Sequence, residues 1–233
     1  MNQNKDEHEP IDQKLSDIGE EVVTALDDMA TIVQGLITRM RLPWLMRYHN
    51  RRLTLTLFSF INGLISIAIM TALAGLTSTD LIFPSLGPTA FLFFYSPTAP
   101  SASPRNAILG HLIGILMGYL SLVVTGLTLS GPALAIGITG PRIIAVALSL
   151  ALTNALMVLF DASHPPAAAT TLIVSLSIIS KPLELAEVMV AVVLLTLQAI
   201  VINRLAGIPY PLWKSKTGKK RSNTGLPGGS QTS

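Results

Sequence analysis

The residues best equipped for chemistry in this chain sit at two proline-rich breaks in otherwise apolar sequence. The first break is PSLGPTA at residues 84–90, and the second is DASHPPAAATT at residues 161–171. Proline is favoured at the first position of a helix, so Gly87-Pro88 and His164-Pro165-Pro166 read as helix starts. A helix start presents unpaired amides and a partial positive charge, which suits an anion. Proline has no N–H to offer. The expected donors are therefore the amides of Thr89 and Ala90 at one start and of Ala167 and Ala168 at the other, with the hydroxyls of Ser85, Thr89 and Ser163 nearby. The competing reading is that the prolines only shape a bend. His164 is the sharpest single residue: its ring could attract an anion or shuttle a proton, or it could simply cap its own helix. Asp161, three residues earlier, is expected to accept a hydrogen bond from that ring. Asn154 lies seven residues before Asp161, hence on the same helix face, where the two could line a polar path.

Other chemistries find little support. There is no cysteine, which excludes disulfides and thiolate sites. His111 and His164 are the only histidines in the apolar region and lack a carboxylate cluster, so no metal site is expected. Walker, Rossmann, HExxH and GxSxG patterns are missing. Neither an enzyme nor a bound cofactor is expected.

The elements that position these residues are set by how little charge the chain carries. Residues 53–79, 81–104, 106–141, 143–160 and 162–180 contain no Asp, Glu, Lys or Arg. Charged residues are 12% of the chain, against about 25% in soluble domains, and the mean hydropathy is +0.57. Uncharged apolar runs of this length are what a bilayer span requires. The expected class is all-α, a polytopic membrane helix bundle.

The apolar region reads as two repeats. Each has a long span, a short Pro/Gly-broken middle helix and a second long span, offset by about eighty residues. Such internal symmetry points to a transporter or channel with its site at the repeat interface. Each short piece counts about sixteen residues, or about 24 Å as helix against a hydrocarbon core of about 30 Å. Six spans in inverted repeats, or four spans plus two re-entrant segments, both fit. Six is preferred, because inverted repeats bring two broken segments towards mid-membrane from opposite faces. The strip Gly110, Gly114 and Gly118 is expected to pack against another helix, as is the small face formed by Ala145, Ser149 and Thr153. His111, beside the glycine strip, is expected to be packed or interfacial.

Outside this region, the expected organisation is a cytoplasmic amphipathic helix and basic juxtamembrane segment at 1–50, a transmembrane domain at 51–207 and a basic, disordered tail at 208–233. The sequence pI of about 9.3 comes from Arg39, Arg41, Arg47, Arg51 and Arg52 before the first span and Lys214, Lys216, Lys219, Lys220 and Arg221 after the last. This is the positive-inside pattern and not a nucleic-acid surface, so both termini are expected in the cytoplasm. No secretory or transit segment is read at the start. Ile11, Leu15, Ile18, Val22, Leu26, Met29, Val33, Leu36 and Met40 form one apolar stripe whose opposite face is acidic, expected to pack on the protein itself or on a second copy.

The run at 161–171 resembles the signature of the HPP family of membrane proteins. The segments PSLGPTA at 84–90 and SPRNAILGH at 103–111 resemble its other motifs, in the same order. The resemblance implies an integral membrane domain, usually drawn with four spans, and nitrite as cargo. Pro88, where relatives often show a small residue, is a departure that removes an amide from the first helix start. A cell (inner) membrane location, lipid and a small inorganic anion as partners, and a homo-oligomer complete the expectation. Carriage of nitrate or formate, or a scaffold recruiting a partner through the N-terminal helix, are the alternatives.

Overall fold

A computed structural model describes residues 41–215 continuously, together with isolated positions between 23 and 38. Apart from exposed Met29, the N-terminal amphipathic stripe lies outside the described residues, as does the segment from 216 onward. Every described element is helical. They are α1 (Leu42–Tyr48), α2 (Arg51–Thr77), α3 (Leu86–Tyr95), a 3-10 turn (Pro100–Ala102), α4 (Pro104–Val124), α5 (Ala133–Ile136), α6 (Gly140–Leu159), α7 (Pro166–Ser175) and α8 (Pro182–Leu205).

The starts of these helices are written locally. The Asn50 side chain accepts hydrogen bonds from the amides of Arg52 and Leu53 to cap α2, and Ser103 accepts from Asn106 to cap α4. Prolines occupy the first turns of α4, α6, α7 and α8, where a missing N–H costs no helical bond. At the head of α8, the Glu184 carboxylate accepts from the amides of Ser180 and Lys181.

Four helices, α2, α4, α6 and α8, are long and apolar enough to cross a membrane. The short middle helices have ten residues each, fewer than the sixteen expected, or about 15 Å. The contacts nevertheless fix where the chain goes. The Leu42 amide donates to Ala206 O, so the end of α8 lies beside α1 and the start of α2. The Arg105 amide donates to Trp213 O, which brings the start of α4 to that same end. Since α2 has 27 residues and runs about 40 Å away from that end, the chain must return between Thr77 and Pro104, through α3. By the same reasoning α6 finishes at the shared end, where Arg105 donates to Phe160 O and Asp161 O. The chain then recrosses through α7 before α8 begins. Six passages of the bundle result, four by long helices and two by a short helix continued in turns and irregular chain. This is the inverted two-repeat arrangement.

Packing follows from side-chain size. α4 is the central helix, with 50% of its apolar window buried against 11% for α2. Its glycines make that possible, because a Cβ on Gly110, Gly114 or Gly118 would lie 2.8 Å from His164 Cβ, 2.8 Å from Ala167 O and 2.7 Å from Val174 Cβ respectively. α7 is thus pressed against α4 along its whole length. Phe93, Phe94, Met70, Val192 and Leu195 fill the other half of the core between α2, α3 and α8. Leu57, Phe60 and Leu64 of α2 and Ile143, Ile144 and Val158 of α6 face outward, as lipid contact requires.

One expectation changes at the C-terminal side. Residues 208–215 are packed, not the start of a disordered tail: Ile208 and Tyr210 are buried, and the Tyr210 hydroxyl donates to Ala102 O at 2.6 Å. This strap, 207–215, lies under the shared end of the bundle. Gly207 turns it at a φ of 78°, and a Cβ there would strike the Arg41 side chain at 2.6 Å.

Candidate functional site

The two broken helices meet. Thr89, in the first turn of α3, and His164, just before α7, are both fully buried, and Thr89 Oγ1 lies 3.3 Å from His164 Nε2. A third residue joins them. His111, seven residues into α4, places its Nε2 3.0 Å from the same Thr89 oxygen and its Nδ1 2.7 Å from Thr170 Oγ1 of α7. The two imidazole centroids are 5.0 Å apart.

The partners decide the proton positions. His164 Nδ1 faces Ser101 O at 2.7 Å, and a carbonyl can only accept, so Nδ1 carries the proton. His164 Nε2 is then a lone pair aimed at the Thr89 hydroxyl. We assign the Thr170 hydroxyl as donor to His111 Nδ1 and His111 Nε2–H as donor to Thr89 Oγ1, which satisfies both neutral rings. The single Thr89 proton is shared between His164 Nε2 and Ser85 O, the latter at 2.9 Å. The Ser85 hydroxyl beside it is fully buried and has no partner. An unsatisfied buried hydroxyl, four residues before Thr89 and on the residue whose carbonyl Thr89 bonds, is a donor in search of an acceptor.

The polar line continues away from the strap. Thr171, next to Thr170 on α7, receives a hydrogen bond from Thr153 of α6 at 3.1 Å. Thr153, Ser149, Ala145 and Arg142 form one buried strip along α6. At its far end Arg142, 1% exposed, donates to Ser175 O at 2.9 Å, Ser177 Oγ at 2.8 Å and Gly131 O at 3.1 Å.

At the strap end, a cavity of about 880 Å³ opens among Arg41, Arg204, Lys214, Thr98 and Tyr210. Tyr210 forms its floor and stacks edge-on against Phe93, whose ring in turn lies 6.3 Å from that of His164. Burial pushes the Tyr210 phenol up from its ordinary value, so it stays a neutral donor to Ala102 O.

Several expected site residues are elsewhere. Asp161 does not touch the His164 ring; it is exposed, at a φ of 49°, and pairs with Lys214 at 3.3 Å. The reason is geometric: the turn after α6 puts Asp161 at the bundle end, while Ala162 and His164 fold inward. Asn154 is exposed on the outer face of α6 and lines no path. Gly87 has open space around it. The Ser163 side chain is exposed, and only its carbonyl is used, accepting from Asn106 at 3.4 Å. The amides of Ala167 and Ala168 are not free for an anion, because they donate to His164 O and Pro165 O in the first turn. Ala167 instead packs on α4, and Ala168 is half-buried. Ser85, Thr89 and His164 are brought together. His111 was legible as a second intramembrane histidine, but the glycine strip beside it suggested packing alone.

The three segments that build this cluster are those singled out by motif, and the comparison with known families agrees. The transmembrane-region model of the HPP family matches residues 49–211. The chain belongs to the HPP family. No curated protein and no solved structure matches it. In this HPP domain the His-Pro-Pro tripeptide supplies the inner histidine, the 103–111 segment supplies His111, and the 84–90 segment supplies Ser85 and Thr89. It is an integral membrane domain of a transport-related kind.

Proposed function

We propose that this HPP domain carries nitrite across the membrane together with a proton, the anion being held between His111, His164, Thr89 and Ser85. The supporting observation is that two imidazole Nε2 atoms converge on one buried threonine oxygen, at 3.0 and 3.3 Å, in the first turn of a broken helix. Protonation of His164 at Nε2 converts its lone pair into a donor. Both rings then present N–H groups towards the Thr89 position, with the hydroxyls of Ser85 and Thr89 beside them. A lone buried cation is strongly disfavoured, by several kcal/mol, unless a countercharge arrives with it. Proton and anion therefore bind as a pair and leave as a pair, and the polar strip of α6 and α7 is the way out. Nitrite suits such a site because it is small, monovalent and accepts through two oxygens.

The orientation we propose puts the strap end in the cytoplasm of a bacterial cell. Within residues 41–215, Arg41, Arg47, Arg51, Arg52, Arg105, Arg204 and Lys214 gather there with Asp161 as the one acid, as the positive-inside rule requires. The role is transport and not catalysis. A homo-oligomer is part of the reading. Asn154 faces outward in the last third of its helix with no side-chain hydrogen-bond partner among the described residues, beside exposed Ala151 and Ala155, where a second copy would satisfy it better than lipid.

The test is uptake of nitrite into liposomes containing only the purified protein, with nitrate and formate as competitors. Uptake above protein-free liposomes, inhibited least by formate and nitrate, is expected. Equal uptake with and without protein would leave a scaffold role, and preferential transport of a competitor would reassign the cargo.

A further inference from the structure

Arg142 is a buried cation without an anion. The acids at its end of the bundle are Asp80, Glu184 and Glu187, yet none of them forms an ion pair with it; Glu184 is engaged by Lys181 at 3.0 Å. All of its acceptors are neutral: two carbonyls and one hydroxyl. The negative end of the α7 dipole, at Ser175, offsets part of the charge. Of the five guanidinium N–H groups, two remain without an acceptor among the described residues, Nε–H and one on Nη2. Those two nitrogens lie on the same edge, the edge that grips two oxygens of one anion in a parallel fork.

The cover over this edge is slight. The connection between α4 and α6 reaches Arg142 through Gly131 O, the longest of its three bonds, and is pinned to α7 by the Ala133 amide donating to Leu176 O at 2.9 Å. Leu129 and Leu134 on this connection are almost wholly exposed. Ser177, which holds Nη1, sits at a φ of 53°, a conformation uncommon outside glycine and kept here where its hydroxyl meets the guanidinium.

We infer that Arg142 and Ser177 form a second anion site, at the end of the polar strip opposite the histidine pair, which takes a small monovalent anion on the free Nε/Nη2 edge. The anion takes the two unpaired N–H groups beside Gly131 O, and the α4–α6 connection moves aside to admit it. The inference rests on the transport reading for its purpose, since it gives the cargo a docking point at the far mouth, but its binding chemistry can be tested without transport.

The test is thermal unfolding of the purified full chain at pH 9, where imidazoles are neutral and Arg142 is the remaining buried cation. Sodium nitrite, nitrate or chloride is titrated against gluconate at constant ionic strength. The wild type should be stabilised in a saturable way by at least one small anion. Arg142→Gln, which keeps hydrogen bonding and loses charge, should raise the half-saturating concentration at least tenfold. Arg142→Lys and Ser177→Ala should each raise it several-fold, and they carry the test if the glutamine variant does not assemble. A wild type indifferent to all three anions, or variants with unchanged half-saturation, overturns the site. A variant that only unfolds at lower temperature while keeping its anion response assigns Arg142 to structure and also overturns it. Failure of nitrite uptake by a wild type that passes this test would sink the transport reading and leave the anion site standing.

Discussion

At the scale of single residues, the account turns on one hydroxyl. Among the described residues Thr89 Oγ1 is the one atom bonded to both imidazole Nε2 atoms, so it couples two histidines contributed by different motifs. Thr89→Val keeps the shape of the side chain and removes the oxygen. Both rings then lose a partner, and left-over buried polar groups cost about 1–3 kcal/mol each. Nitrite flux per folded molecule should fall at least tenfold, with the protein still inserted and assembled, as measured by uptake normalised to monodisperse protein. His164 could be found from the sequence because an ionisable residue inside a span is costly and therefore conspicuous. Its true partners could not. Ser101 O and Thr89 are reached across 63 and 75 residues, whereas the visible neighbour Asp161 was near only along the chain. Backbone turning outward at Asp161 and inward at His164 is a tertiary fact. The same limitation hid Arg142, which reads as an isolated loop charge until α7 delivers Ser175 and Ser177 to it.

At the scale of elements, the contact between α4 and α7 holds the site together. The glycine strip was readable from spacing alone, because three glycines four apart make a groove on any helix. What fills the groove was not readable, since it depends on the second repeat folding back on the first. Gly114 is the tightest test. An alanine Cβ there would lie 2.8 Å from Ala167 O, a backbone atom that cannot step aside as a flexible side chain would. Gly114→Ala should destabilise by about 1–3 kcal/mol, as overpacking does, and Gly114→Leu should prevent assembly. Thermal unfolding in detergent measures both. A Gly114→Leu protein of normal stability and altered anion preference would move this residue from packing to the pathway. The lengths of the two middle helices were overestimated from sequence because apolar flanks at residues 81–85 and 176–180 look helical. Pro84 and the turn at Ser177 interrupt them.

At the scale of the whole molecule, six passages of the described chain place residues 41 and 215 at one end, with the histidine pair nearer that end and Arg142 at the other. The natural lack of cysteine makes this easy to test by adding single cysteines. Thr98→Cys and Leu212→Cys should react with a membrane-impermeant maleimide from the same side, and Asp80→Cys and Leu129→Cys from the other. Labelling of Thr98→Cys and Asp80→Cys from one side would mean that α3 only dips into the membrane, and the inverted repeat would be lost. That the chain is a polytopic bundle was evident from charge depletion alone. Whether the broken segments run from one end of the bundle to the other was not, because ten helical residues cover that distance only together with the non-helical chain beside them.

The central claim is that a proton and nitrite move together through the histidine pair, and it is tested most directly by nitrite uptake into proteoliposomes under an imposed pH gradient. Initial rates, corrected for protein-free liposomes, should rise several-fold when the outside is made acidic, and the gradient should drive internal nitrite above the external concentration. Rates that ignore the gradient, with internal nitrite never exceeding the outside level, would contradict coupled transport.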